Sequence, residues 1–197
     1  MKIFKSKHKL QKALSNQKSL SFVPTMGGLH KGHISLIKKS KKFKEKVIVS
    51  IFINPKQFNK KKDFTNYPRN LKKDLSVLKK LRVNIVFIPN KKDIFSFRPK
   101  SSVYLNSFSK KLCGQFRKGH FEGVLNVVNR FLEIIKPKRI FLGNKDFQQL
   151  VLIKKHILKK KINTKIVSCK TVRERNGIAY STRNSLLSIN EIKIASK

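Results

Sequence analysis

The sequence predicts an α/β fold, an open and mostly parallel sheet with helices on both faces, from three observations. Short apolar runs alternate with segments whose apolar residues recur at helical spacing. The run Val47 to Ile53, VIVSIFI, is apolar on both alternating faces, as a strand covered by helices on both sides requires. Polar segments, three of them containing glycine, follow four of the predicted strands, at the carboxyl ends where ligands bind in such sheets.

Ser19 to Val23 is the first apolar strand, and His33 to Phe43 follows as a helix with Ile34, Leu36, Ile37 and Phe43 as its apolar members. Val47 to Ile53 then supplies a central strand. Leu71 to Leu81 sets Leu71, Leu75 and Leu78 on one helical stripe, and Ile85 to Ile88 is a buried strand closed by Pro89, which lacks a backbone donor. Val124, Val127, Val128, Phe131 and Ile135 mark a strongly amphipathic helix ending near Pro137, with Arg139 to Leu142 as the next strand. Leu150, Ile153 and Ile157 form the stripe of another helix, and Ile166 to Cys169 is the last strand. Strands and helices alternating in this way imply right-handed crossovers.

The 197 residues suit one domain, or one large domain with a small appendage, and no internal repeat or flexible linker divides them. The formal net charge of +39 points by itself to nucleic acid, an anionic surface or a polyanionic substrate. Only 9 of the 48 basic residues are Arg, the side chain that phosphate and base recognition favours, and the Lys residues scatter over all predicted solvent faces. Compositional drift explains that scatter better than selection for polyanion binding does. Cys113 and Cys169 match no metal-binding or disulfide spacing, which fits a reducing cytoplasm. The basic start MKIFKSKHKLQKAL lacks an apolar leader core, and no run approaches the roughly 18 apolar residues of a membrane span.

The four strand-end segments carry the chemistry. In PTMGGLHKGH, Pro24 to His33, an HxGH pattern sits where a strand turns into a helix. Gly27, Gly28 and Gly32 let the backbone approach a ligand, and the free N–H groups of the helix start favour phosphate. His30 and His33 are placed to donate to oxygens that gain charge in a reaction, although polar turn histidines or a metal pair would leave the same trace. NPKQF, Asn54 to Phe58, follows the second strand. In GNKDFQQ, Lys145 offers a point charge and Asp146 an acceptor for hydroxyls or a cation, notable in a chain with only 9 acidic residues. In TVRERNGIAYSTRN, Arg183 beside small hydroxyl residues suits closure over a triphosphate, with a capped turn as the plain alternative. RKGHF, Arg117 to Phe121, is equally a basic contribution or a solvated helix start.

In order and spacing, PTMGGLHKGH, SIFINPKQF, DFTNYPRNLKKDL, GHFEGV, GNKDFQQL and TVRERNGIAYSTRN resemble the pantothenate synthetase family over roughly Phe22 to Ser188. The resemblance implies a Rossmann-like nucleotide- and pantoate-binding domain over residues 1–185. It implies a remnant of a C-terminal lid domain over 186–197, the lid being otherwise largely missing, and hence a slower or leakier enzyme, or one completed by a dimer partner. It implies ATP as a substrate with Mg2+, pantoate activated as its adenylate, and β-alanine displacing AMP. It implies a cytoplasmic homodimer with no need of nucleic acid or membrane. By the same resemblance Met26, Gly27, Gly28, Leu29, His30, Lys31, Gly32 and His33 contact ATP, together with Gly143, Asn144, Lys145, Asp146, Val172, Tyr180, Ser181, Thr182 and Arg183. His33 is the family's acid, with His30, Lys145 and Arg183 completing the catalytic set. Gln57 and Gln149 hold pantoate, Gln57 also meets β-alanine, and Asp74 helps to place magnesium. Asn144, Thr182 and Lys118 depart from the family's Glu, Ser and Pro. Two other readings compete: a basic nucleic-acid-binding protein on a decayed scaffold, and a nucleotidyltransferase acting on a phosphate.

Overall fold

A computed structural model describes residues 1–17 and 19–196; Lys197, the last residue of the expected lid remnant, lies outside the described residues. The chain runs β1 (Lys2–Phe4), α1 (Lys7–Leu14), β2 (Leu20–Thr25), α2 (Lys31–Lys41) and β3 (Lys46–Ile51), then a 3-10 turn at Pro55–Gln57. α3 (Lys61–Thr65), α4 (Leu71–Lys80), β4 (Ile85–Phe87) and α5 (Lys91–Phe95) follow. After a 3-10 turn at Ser107–Lys110 come α6 (Cys113–Phe116), α7 (His120–Ile135) and β5 (Arg139–Gly143). A turn at Asn144–Asp146 leads into α8 (Phe147–Lys159) and β6 (Lys165–Cys169), and a turn at Thr182–Leu186 precedes α9 (Ile189–Ala195).

The six strands form one sheet in the order β1-β4-β3-β2-β5-β6, and every neighbouring pair is parallel. Side-chain alternation divides the core into two layers. Phe22, Ile48, Ile85, Phe87, Ile140 and Leu142 face one cluster with Leu10 and Leu14 of α1, α7, and Leu152 and Ile153 of α8. The intervening Val23, Val47, Val49, Val86 and Phe141 face the other, with Leu36 and Ile37 of α2 and Leu78 of α4. Phe131 of α7 centres the first layer, its ring 5.4, 6.2 and 6.1 Å from those of Phe22, Phe52 and Phe87. Emptying such a site costs about 3–5 kcal/mol.

The order reverses at β2, and there the sheet splits. β2 pairs with β3 over its whole length, from Leu20↔Lys46 to Thr25↔Ile51. With β5 it pairs only at Ser21↔Arg139 and Phe22↔Ile140. Beyond Phe22 the two strands part, and the cleft opens at their carboxyl ends. At the amino ends, Glu45 ties the same strands together: its carboxylate accepts hydrogen bonds from Ser19 and Ser21 and pairs with Arg139. Although burial raises its pKa, those three partners hold the Glu45 carboxyl below its usual range.

All the expected strands and helices are present, with ends displaced by one to three residues at most positions. Three differences have physical causes. β1 and α1 lie outside the sequence expectation, because β1 is a mostly exposed edge strand containing Lys, while the Leu10 and Leu14 pair of α1 sits among lysines. Leu71 is 42% exposed, whereas Asp74 is only 3% exposed, because the cleft loop needs the Asp74 carboxylate inside. Phe43 lies beyond α2 and packs edge-on against Phe141 at 5.5 Å. Lys44, Arg82, Lys136 and Lys161, following α2, α4, α7 and α8, are left-handed with φ of 55, 49, 48 and 51°. Glycine is the usual residue at such helix ends.

Candidate active site

The cleft between β2 and β5 has a volume of about 250 Å³. Its first wall is the loop after β2. Asp74, from α4, accepts the N–H of Gly28 on Oδ2 at 2.9 Å and the N–H of Leu29 on Oδ1 at 2.8 Å. Thr25 donates its hydroxyl to the Ser50 carbonyl at 2.6 Å and accepts from the Gly27 N–H at 3.3 Å. The loop turns through left-handed Gly27 and Gly28, with φ of 78 and 60°. Gly28 is pressed against the opposite wall, where the Thr182 hydroxyl donates to its carbonyl.

His30 and His33 cap α2 reciprocally. His30 Nδ1 accepts the Gly32 N–H at 3.1 Å, and His33 Nδ1 accepts the His30 N–H at 3.4 Å. A side chain at Gly32 would bring its Cβ within 2.8 Å of His30 Cε1, so glycine permits the cap. Burial, then the neighbouring Lys145, lowers the His30 pKa to about 4. Burial, then His30 and Lys145, lowers that of His33 to about 3. Both rings are therefore neutral at pH 7, and an accepting Nδ1 places the proton of each on Nε2. The imidazoles are fixed N–H donors with rings 4.0 Å apart. Tyr180 stacks on His30 at 6.2 Å.

Deeper in the cleft, Asn54 is 1% exposed and satisfied on all sides. It accepts from Lys56 N–H and donates to the Gln57 side-chain oxygen at 3.1 Å and the Gly123 carbonyl at 3.0 Å. Gln57 is thereby aimed at the cleft beside Met26. His120 Nδ1 lies 2.7 Å from the Gln57 carbonyl oxygen. Gly123 makes this docking possible, since a Cβ there would fall 2.2 Å from the Lys56 carbonyl oxygen. Val124, Val127, Val128 and Phe131 of α7 make an apolar floor, with Gln149 among the polar lining. Arg117, Lys145, Lys170 and Arg183 line the cleft against a single carboxylate, Asp146. Lys145 contacts Asp146 at 2.9 Å. Such a cleft favours a polyanion.

Among the expected site residues, Met26, His30, Gly32, His33, Gln57, Gly143, Lys145, Asp146, Gln149, Val172, Tyr180, Ser181, Thr182 and Arg183 line this one cleft. Gly27, Gly28, Leu29, Lys31 and Asn144 are outside its lining; the first three shape the loop, and the Lys31 ammonium lies 5.5 Å from the Tyr180 ring. Asp74 does not line the cleft; each of its two oxygens accepts one loop N–H, and the side chain anchors the loop after β2. Among the described residues no group of three or more His, Cys, Asp or Glu could hold a metal ion. A magnesium ion held chiefly by ATP phosphates needs no such cage, only one or two carboxylates beside it, and the cleft lining offers Asp146. Asn54, Tyr67, Arg117, His120 and Lys170 also line the cleft. Arg117 and His120 carry a signal in RKGHF, whereas Asn54 and Tyr67 stand inside recognisable segments that give them no role.

Comparison with known proteins adds three findings. The family model described as Pantoate-beta-alanine ligase matches residues 2–197. The pantothenate synthetase of Francisella tularensis subsp. novicida is 44% identical over 199 residues, covering 98% of this chain and 74% of that protein. A crystal structure of pantoate-beta-alanine ligase from Francisella tularensis, complexed with beta-gamma ATP and beta-alanine, superposes with TM-score 0.93 at 41% identity, covering all of this chain and 77% of that one. Pantothenate synthetase from Thermus thermophilus superposes with TM-score 0.94 at 33% identity, covering all of this chain and 71% of that one.

Proposed function

The chain belongs to the pantoate–β-alanine ligase family, and on that premise we propose that its cleft joins pantoate to β-alanine at the expense of ATP, forming pantothenate. The observation that carries the reading is the convergence of His30, His33, Lys145, Arg183 and Gln57 on one cleft with an apolar floor. Pantoate's dimethyl carbon suits Val124, Val127 and Val128, and its hydroxyls suit the amides of Gln57 and Gln149. Residues 1–185 form the nucleotide- and pantoate-binding part, and 186–197 belong to the lid portion.

In the first step a pantoate carboxylate oxygen attacks the α-phosphorus of ATP, and the bond to the bridging oxygen breaks to release pyrophosphate. The Nε2–H groups of His30 and His33 donate to the α-phosphate oxygens as charge gathers there, while Lys145 and Arg183 balance the leaving group. Before ATP binds, with pKa values of about 4 and about 3, both histidines are neutral N–H donors at pH 7, and the phosphate charge then shifts both values upward. In the second step the amine of β-alanine, held beside Gln57, attacks the acyl carbon and AMP departs. Magnesium arrives with ATP, and a homodimer acting in the cytoplasm completes the reading. No helix among the described residues is long and apolar enough to cross a membrane.

Pantoate-dependent exchange of labelled pyrophosphate into ATP tests the proposal. The wild-type protein is expected to exchange, and His33→Ala to lose at least about 100-fold in rate, as removal of a transition-state donor does. Exchange that ignores pantoate, or that survives His33→Ala unchanged, would overturn it.

A further inference from the structure

We propose that Asp63, which does not line the cleft, is a positioning residue that presents Arg183 to the pyrophosphate portion of ATP. The inference rests on the reading of the cleft given above. Asp63 Oδ1 accepts from Arg183 Nε at 3.0 Å and Oδ2 from Nη2 at 2.9 Å, a side-on bidentate pair linking residues 120 apart in sequence. The same guanidinium lies over the ring of Tyr67 at 4.9 Å and near that of Phe58 at 5.7 Å. Those rings are themselves fixed edge-on, Phe58 to Tyr67 at 5.6 Å and Phe58 to Phe64 at 5.3 Å. α3 therefore grips Arg183 from behind the cleft in plane and direction.

A guanidinium has five N–H donors, and this pair uses two, leaving three for an anion. An arginine already held loses little side-chain freedom when phosphate arrives. Asp63 also supplies the counter-charge that lets a second guanidinium share the cleft. Arg117 lines the same space, and its pKa is lowered by burial and then by the nearness of Arg183, an effect that Asp63 opposes. At side-chain exposures of 40% and 34%, the Arg183–Asp63 pair adds little to folding stability. A structural role alone would thus leave little trace, and a positioning role a specific one.

Asp63→Asn keeps the shape and removes the charge. In pyrophosphate exchange, kcat/KM for pyrophosphate is expected to fall about tenfold, with KM for pantoate and the melting temperature nearly unchanged. In an Arg183→Lys background, where no bidentate pair forms, Asp63→Asn should add nothing further. Calorimetric titration with ATP supplies an arm independent of turnover, and Asp63→Asn should weaken binding there as well. An Asp63→Asn protein equal to wild type in both assays would overturn the proposal. So would losses that multiply with Arg183→Lys, or a pantoate KM rising in step with that of pyrophosphate. If wild type binds ATP in an Asp63-dependent way yet exchanges no pyrophosphate, the ligase reading fails and the role of Asp63 stands.

Discussion

Gly28 and Thr182, 154 residues apart, meet across the mouth of the cleft: the threonine hydroxyl donates to the glycine carbonyl at 3.1 Å. A Cβ on Gly28 would fall 2.2 Å from the Thr182 methyl, and the backbone there is left-handed. Gly28→Ala should therefore push the two walls apart and lower pyrophosphate exchange at least about 100-fold, as displacement of catalytic groups by about 1 Å does. Adding Thr182→Ser removes the clashing methyl and keeps the hydroxyl, so the double variant should recover part of the loss. A double variant no better than Gly28→Ala would show that the contact is not what sets the loop.

Asp74 offers a test between two roles. As a loop anchor, Asp74→Asn leaves one N–H of Gly28 or Leu29 facing an amide N–H2, and stability should fall by about 1–3 kcal/mol. KM for ATP should rise, and extra magnesium should not restore it. Restoration of activity by millimolar magnesium would return Asp74 to the metal.

Acid should unfold this protein through its histidines. The pKa values of His30 and His156 are lowered to about 4 and that of His33 to about 3, each first by burial. A group harder to protonate when folded contributes stability that is complete above its unfolded pKa of about 6.5 and is lost as pH falls toward the folded value. Glu45, also held low, adds its loss below the ordinary carboxylate range. Urea midpoints should thus fall steadily from about pH 6.5 to about pH 4. His156 is fully buried, accepting from Tyr104 N–H at 3.0 Å with Nε2 beside Asn129 Oδ1 at 3.1 Å. His156→Gln, which does not titrate, should flatten that slope, and an unchanged slope would clear this residue.

The left-handed helix ends carry a reserve of stability. Lys44, Arg82, Lys136 and Lys161 each hold a conformation that an L side chain resists. Replacing Lys136 or Lys161 by glycine should raise stability by roughly 0.5–1 kcal/mol, after allowing for the looser unfolded chain. Thermal melts of the single and double variants check both sign and additivity.

The alternation of apolar runs made the sheet and its two covered faces legible, because each strand must feed both layers. HxGH and GNKD were legible as strand-end segments for the same topological reason. What stayed hidden depends on pairing between distant segments. Asp63 opens the segment DFTNYPRNLKKDL, which gives it no role by itself, and its partner appears only with Arg183 beside it. The burial of Asp74 follows from donors in a loop 45 residues away, which no helical periodicity encodes. β1 is invisible to patterning because its exposed edge gives no apolar alternation.

The parting of β2 from β5 beyond Phe22 leaves peptide groups of Pro24, Thr25, Phe141, Leu142 and Gly143 along an unzipped seam. Recognition drawn from a main chain is indifferent to which side chains accumulate on the outside. A chain with 48 Lys and Arg residues can thus carry that charge on its outside while the seam keeps its peptide groups for an incoming nucleotide.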